Sequence, residues 1–276
     1  MNNPLIAAYR KPAVYISLPS EGKYYKNKPK LSVDNELAIF PMTARDELVT
    51  KSPDALFNGE ATISMINSCC PDIEDPNEMP VNDLMAVLIG IRIASYGNDI
   101  DIDAQCPSCE HMNQLSINSN AILATLAPNE TPEVVELDNG FRVKCKPYTL
   151  RDRTTLQVQQ IKQRKLIESL SDANLSDEER EAKFGKTFVE LADITVGLIA
   201  NCIDSVMIPE NETIDDISQI LEWLQSITKK DYDSIKMTVE GLSASGVNSE
   251  FNAKCQSCGN DWKTQVDLDM ANFFVG

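Results

Sequence analysis

Two CxxC pairs, Cys106/Cys109 and Cys255/Cys258, stand 145 residues apart in flanks that look alike, and no other feature restricts the fold as much. The first runs Ile100-Asp-Ile-Asp-Ala-Gln-Cys-Pro-Ser-Cys-Glu-His-Met-Asn-Gln-Leu-Ser-Ile117, the second Phe251-Asn-Ala-Lys-Cys-Gln-Ser-Cys-Gly-Asn-Asp-Trp-Lys-Thr-Gln-Val266. Each reads as strand, CxxC turn, strand. Two residues between thiolates let both sulfurs converge on one ion, and Gly259 directly after Cys258 suits a tight turn. Structural zinc takes four ligands in a tetrahedron, and one knuckle offers only two. The pair therefore predicts one structural Zn per chain, with Cys106, Cys109, Cys255 and Cys258 as metal ligands. His111, the only histidine, is expected as an exposed strand residue rather than a ligand.

A ribbon split by so long an insertion needs an explanation, and internal repetition supplies one. The segment 37–46 resembles 143–152: a short strand pattern, then P-x-T-x-R-D at Pro41–Asp46 and Pro147–Asp152. Ile63-Ser-Met-Ile-Asn-Ser-Cys-Cys70 resembles Val196-Gly-Leu-Ile-Ala-Asn-Cys202, and in both halves a helical stretch and a knuckle follow. The expected domains are a basic N-terminal arm with the first strands (1–30), a first repeat at 13–120 and a second, with longer helices, at 133–276. Each repeat would donate one half-site, and the ion would close the long loop between them much as a crosslink does.

The fold class read from local pattern is α+β and helix-rich, an internally duplicated strand-helix-knuckle unit joined by a discontinuous zinc ribbon. Glu136–Val143 is a hairpin signal with Asn139-Gly140 at the turn, and alternation puts Cys145 on the core side. Thr43 and Thr149 are placed to cap helices whose first turns hold Arg45/Asp46 and Arg151/Asp152. Leu84–Ala94 reads as a buried helix. A capping box at Ser176–Glu179 opens a helix through about Ile203. Thr213 starts another helix, with Ile217, Leu221 and Leu224 on one side. Ala173–Glu181 is the least packed stretch.

Charge and cysteine usage narrow the function. The net charge of −17 argues against non-specific nucleic-acid binding, yet residues 1–30 carry +5 and the remainder −22. Arg10, Lys11, Lys23, Lys26, Lys28 and Lys30 face Glu21 alone, which reads as solvated lysines or as an arm that docks on an acidic neighbour, including another copy of this chain. Cys69, Cys70, Cys145 and Cys202 lie in apolar runs and read as buried thiols of a reducing compartment. No apolar run is long enough to span a bilayer, and the first residues lack a signal-peptide core, so no membrane partner is expected. No GxxxxGK[ST] or GxGxxG occurs. A closed four-thiolate ion offers no position for activating water, so no catalytic residues and no enzyme activity are assigned.

The opening Leu18-Pro-Ser-Glu-Gly-Lys-Tyr24, the segment Pro41–Glu47 (PMTARDE), the paired knuckles and the terminal Phe273-Phe274 together resemble the baseplate hub proteins of T-even-type contractile-tailed phages. The likeness covers most of the chain, and PMTARDE after a strand is its most specific part; the polar insert around Ala173–Glu181 departs from it. It implies a non-enzymatic structural or assembly role among other hub or wedge proteins, in the host cytoplasm during assembly and either retained in the tail baseplate or not. Two rivals stand beside it. A zinc-ribbon adaptor on nucleic acid or transcription machinery predicts a basic stripe at the knuckles, whereas Asp99, Asp101, Asp103 and Glu110 surround the first. A dithiol oxidoreductase predicts a CxxC at a helix N-terminus, which neither knuckle resembles.

Overall fold

Alternation in two short segments builds the first sheet. In β1 (Val14–Ser17) and β2 (Glu36–Ile39), paired antiparallel from Val14↔Ile39 to Ser17↔Glu36, the inward residues Ile16, Leu37 and Ile39 are buried. The helix Val81–Tyr96 lies on this sheet, and Gly90 permits the approach: a Cβ there would meet Ile16 and Ile39 carbons at 3.2–3.3 Å. That helix buries Leu84 and every residue from Ala86 to Ile93, as its all-round apolar sequence predicts. The computed structural model describes residues 4–50, 59–125, 131–170, 177–210, 212–244 and 250–265.

The chain forms two compact units, Met1–Asn129 with Ser245–Gly276, and Glu130–Ala244. The first holds β1–β2, helices Pro4–Tyr9, Ala44–Thr50, Glu60–Cys69, Val81–Tyr96 and Ser119–Leu123, and two further hairpins. These are β3 (Asp99–Gln105) with β4 (Met112–Asn118), and, from the far end of the sequence, β9 (Glu250–Lys254) with β10 (Asp261–Gln265). The second unit is a four-stranded antiparallel sheet, β5 (Val134–Glu136), β6 (Arg142–Cys145), β7 (Ile203–Met207) and β8 (Thr213–Ile214), in that order. Helices Leu150–Leu170, Asp177–Asn201, Ile217–Leu224 and Lys229–Ala244 complete it, around a core that includes Val143, Cys145, Ile199, Cys202, Ile235 and Leu242.

The same contacts recur in both units. The Phe40 N–H donates to the Cys69 carbonyl at 2.8 Å, and the Lys146 N–H to the Cys202 carbonyl at 2.8 Å. The Thr43 hydroxyl donates to Asp46 at 2.7 Å while the Asp46 N–H returns a bond to it at 3.3 Å; Thr149 and Asp152 do the same at 2.7 and 3.2 Å. Each aspartate is buried and takes a further donor from the end of a later helix, Ser68 Oγ at 2.8 Å or Asn201 Nδ2 at 3.4 Å. The Met42 N–H donates to Ser95 Oγ at 2.9 Å and the Tyr148 N–H to Ser243 Oγ at 3.0 Å, each serine sitting in the last turn of a 16-residue helix.

Several local expectations need correction. Thr213 belongs to β8, and the next helix starts at Ile217 behind the Asp216 cap, whose carboxylate accepts from Ser218 and Gln219. Its buried face is Ile220 and Leu224, with Ile217 exposed, because the helix begins one turn later than the apolar spacing implied. The Asp177–Asn201 helix stops before Cys202, and Ile203 already pairs in β7 as the partner of Cys145. In the 137–140 turn Gly140 takes the positive φ, at 84°, and Asn139 does not; its side-chain oxygen accepts from the Phe141 N–H instead. Ser176 and Phe273-Phe274 lie outside the described residues, as does much of Ala173–Glu181.

One loop is fastened far more tightly than its length requires. Residues 18–35 connect β1 to β2, whereas residues 137–141 suffice between β5 and β6. Asp83, fully buried, accepts from the Ser20 N–H at 2.7 Å, the Ser20 hydroxyl at 2.5 Å and the Tyr25 hydroxyl at 2.9 Å. Burial pushes its carboxyl up to about 6, against those three hydrogen bonds. The folded value lies above the unfolded one, so the stability linked to this group is present at low pH and is lost as pH rises from about 4 through 6. In denaturant melts at pH 4 and pH 7, Asp83→Asn is expected to show a smaller loss of first-unit stability than the parent; an equal loss contradicts this.

Candidate metal centre

The hairpins β3–β4 and β9–β10 each end in a CxxC turn of one design. The Cys106 N–H donates to the His111 carbonyl at 2.9 Å and the Cys255 N–H to the Asn260 carbonyl at 2.9 Å. Glu110 N–H returns to the Cys106 carbonyl at 2.9 Å, and Gly259 N–H to that of Cys255 at 3.0 Å. This turn demands a left-handed residue after the second cysteine, which Gly259 fills at φ 74° and Glu110 at φ 59°. Ser257 and Cys258 N–H groups both donate to Cys255 Sγ at 3.4 Å, so the backbone presents donors to the sulfur.

The two turns face each other. Cys106 Sγ lies 3.7 Å from Cys258 Sγ, Cys109 Sγ lies 3.6 Å from Cys255 Sγ, and all four sulfurs fall within 4.8 Å of one another. Zinc–sulfur bonds of about 2.3 Å set the edges of a tetrahedron at about 3.8 Å, which these separations match. Cys106 and Cys255 are buried and Cys109 and Cys258 exposed, so one side of the cluster meets solvent. All four predicted site residues are thus brought together, in a geometry that fits a metal ion, within the first unit. His111 is exposed, precedes β4 rather than lying in it, and adds no atom to the cluster.

Electrostatics separate these thiols from the rest. Cys255 is pulled down to about 6 by the Cys258 and Ser257 N–H groups and the neighbouring thiols, against burial. For Cys106 burial works upward, but the Cys109 and Ser108 N–H groups outweigh it and the net shift is down. The His111 N–H favours the Cys109 thiolate, yet Cys258, burial and the other thiols push Cys109 up to about 12. By contrast, burial pushes Cys69 and Cys145 up to about 12 and raises Cys70 and Cys202 as well. Those four are protonated core thiols, poor nucleophiles and poor ligands.

Compared with known families, residues 12–275 match the family model described as T4 bacteriophage base plate protein. The chain belongs to this family. No curated protein and no solved structure matches it significantly. The match spans both units of the baseplate protein and all four clustered cysteines. The PMTARDE segment that carried the resemblance is the helix cap at Thr43–Asp46, a structural device. Among the described residues, no helix of the baseplate protein is long and apolar enough to cross a membrane. Sequence reasoning missed Asn113, a fully buried residue whose Oδ1 accepts from the Gln256 N–H at 2.8 Å across the two knuckles. Its signal was present: Asn113 stands directly opposite Ala104 on the face that Cys106 continues.

Proposed function

We propose that this baseplate protein is a non-enzymatic structural or assembly component of the phage tail baseplate hub, its fold stapled by one zinc held by Cys106, Cys109, Cys255 and Cys258. The four-sulfur cluster in a chain matched over residues 12–275 by the baseplate family carries the reading. An ion with four thiolate ligands has no open position, so its contribution is rigidity rather than chemistry. The recurring contacts at Asp46/Asp152 and Phe40/Lys146 support an internal duplication, with repeats at 13–120 and 133–276. The protein works in the host cytoplasm during assembly beside other hub or wedge proteins, and is either retained in the tail baseplate or released once the hub is built. Purified hub precursors or tails are expected to contain the chain; its absence from both would overturn the assignment.

The partner surface we assign is the 18–35 loop. Lys26, Lys28 and Lys30 are exposed, and none has an ion pair among the described residues, whereas Lys23 meets Glu21. Glu21 and Tyr24 hold φ of 55° and 67°, a strained backbone kept in place by Ser20 and Tyr25 on Asp83. A rigid basic loop on a chain of net charge −17 fits an acidic protein face, and the chain itself offers exposed Asp99, Asp101 and Asp103. The triple change Lys26→Glu, Lys28→Glu, Lys30→Glu is expected to weaken self-association roughly tenfold or more in low-salt sedimentation equilibrium. Unchanged association, or a parent that stays monomeric, contradicts the self-docking reading. A DNA shift by the parent at physiological ionic strength that weakens with added salt would favour the nucleic-acid adaptor instead.

A further inference from the structure

The two knuckles correspond residue by residue, and the correspondence fails at two positions that face each other across the site. Matching Cys106 to Cys255 matches Pro107 to Gln256 and Asn113 to Trp262. The strand register agrees, since Asn113 pairs with Ala104 in one hairpin and Trp262 with Ala253 in the other, both alanines buried.

Asn113 is fully buried, and every polar atom of its side chain has a partner. Its Nδ2 donates to the His111 carbonyl at 3.0 Å and the Ala104 carbonyl at 3.3 Å, within its own hairpin. Its Oδ1 accepts from the Gln256 N–H at 2.8 Å, in the opposite knuckle. A backbone N–H can only donate, so the amide orientation is determined by its partners. The reverse bond cannot form. Pro107 has no N–H to give, and Trp262 has only an N–H where an acceptor would be needed.

We infer that Asn113 and the Gln256 amide position the two half-sites and make their pairing one-directional, first knuckle to second. A first knuckle facing another first knuckle leaves a buried Asn113 oxygen opposite a proline, twice over. A second facing another second leaves the Gln256 N–H opposite tryptophan. An unpaired buried Asn113 oxygen is unfavourable, so the metal closes a first-to-second ribbon instead of bridging the first knuckles of two chains, while second-to-second pairing lacks the bond altogether. This rests on the metal reading of the four cysteines, and it adds the specificity that cysteines alone lack.

The test uses the full chain with cobalt(II) as a probe of thiolate coordination, comparing the parent with Asn113→Ala, Gln256→Pro and the double variant. Proline occupies the matching turn position at 107, so Gln256→Pro removes the N–H from a turn that accepts proline. Each single variant is expected to keep the four-thiolate cobalt spectrum and bind roughly 10- to 100-fold more weakly, as for other groups that orient ligands. Asn113→Ala also gives up its bonds to the His111 and Ala104 carbonyls, and Gln256→Pro gives up Gln256 Nε2 on the Gln114 carbonyl, but the shared bond can be lost only once, so the double should lose less than the sum of the two singles. Parent-like affinity in the singles, or additive losses in the double, overturns the clasp. Hydrogen exchange at the Gln256 amide of the protein as purified reads the clasp without a metal titration: protection in the parent and its loss in Asn113→Ala support it, and equal exchange overturns it. If the parent fails to bind cobalt, the metal reading falls separately while this second readout still decides the clasp. Direction is tested where Cys255 and Cys258 are both serine, leaving only first knuckles. Adding Pro107→Gln should raise the zinc-bridged dimer roughly tenfold or more; equal dimerisation with proline and glutamine overturns the directional claim.

Discussion

Replacing Cys106 or Cys255 with serine is expected to take bound zinc from one ion per chain to none, and each substitution should do so alone. The sulfurs form a single cluster in which the cross-hairpin separations are 3.6 and 3.7 Å, so neither CxxC retains a complete site without the other. Three thiolates and a hydroxyl hold zinc far less tightly, and structural zinc contributes on the order of 10 kcal/mol in small domains. Beside the cluster, the hydrogen bonds that join β9–β10 to β3–β4 include the Gln256 N–H on Asn113, Gln256 Nε2 on the Gln114 carbonyl at 3.1 Å, and Asn260 on Cys106 Sγ at 4.0 Å. Hydrogen exchange across Glu250–Lys254 and Asp261–Gln265 should therefore rise strongly in both variants, while the core strand at Arg142–Cys145 stays protected. Cys69→Ser, at a buried thiol outside the cluster, should keep the ion; its loss there would mean a destabilised unit rather than a missing ligand.

The second large effect is expected at the two P-x-T-x-R-D caps. Asp46→Ala removes an acceptor that holds the Thr43 N–H and hydroxyl, both at 2.7 Å, and Ser68 Oγ at 2.8 Å. Asp152→Ala removes the counterpart that holds the Thr149 N–H at 3.0 Å, its hydroxyl at 2.7 Å and Asn201 Nδ2 at 3.4 Å. Loss of a helix cap together with a buried charged acceptor costs roughly 2–4 kcal/mol. Local opening free energies from hydrogen exchange should fall in the first unit for Asp46→Ala and in the second for Asp152→Ala. Comparable falls, each confined to its own unit, are what a duplicated framework predicts. A large fall at one site and none at the other would argue that the shared motif is coincidental.

Legibility in the sequence followed the range of the interaction. The cysteine cluster was readable because CxxC is local and each half of it is made by four consecutive residues, Cys106–Cys109 and Cys255–Cys258. The caps were readable for the same reason: Thr43 reaches only to Asp46, and Thr149 to Asp152. The start of the Ile217 helix was not, since Thr213 and Asp216 both suit a cap and only pairing with Val206 and Met207 draws 213–214 into the sheet. Asn113 escaped because its role needs the Gln256 amide, 143 residues away. The anchoring of the basic loop was hidden likewise, because Asp83 lies in what reads as the start of an apolar helix and reaches Ser20 63 residues back.

A single ion shared by two distant knuckles of one chain is what we propose holds the fold closed. Native mass spectrometry of the purified protein, with elemental analysis of the same sample, tests it most directly. A site shared within one chain gives one zinc per chain in every species, the monomer included, and no metal-free folded species until a chelator is added. A metal-free folded chain, or one ion found only in a two-chain species, would contradict it.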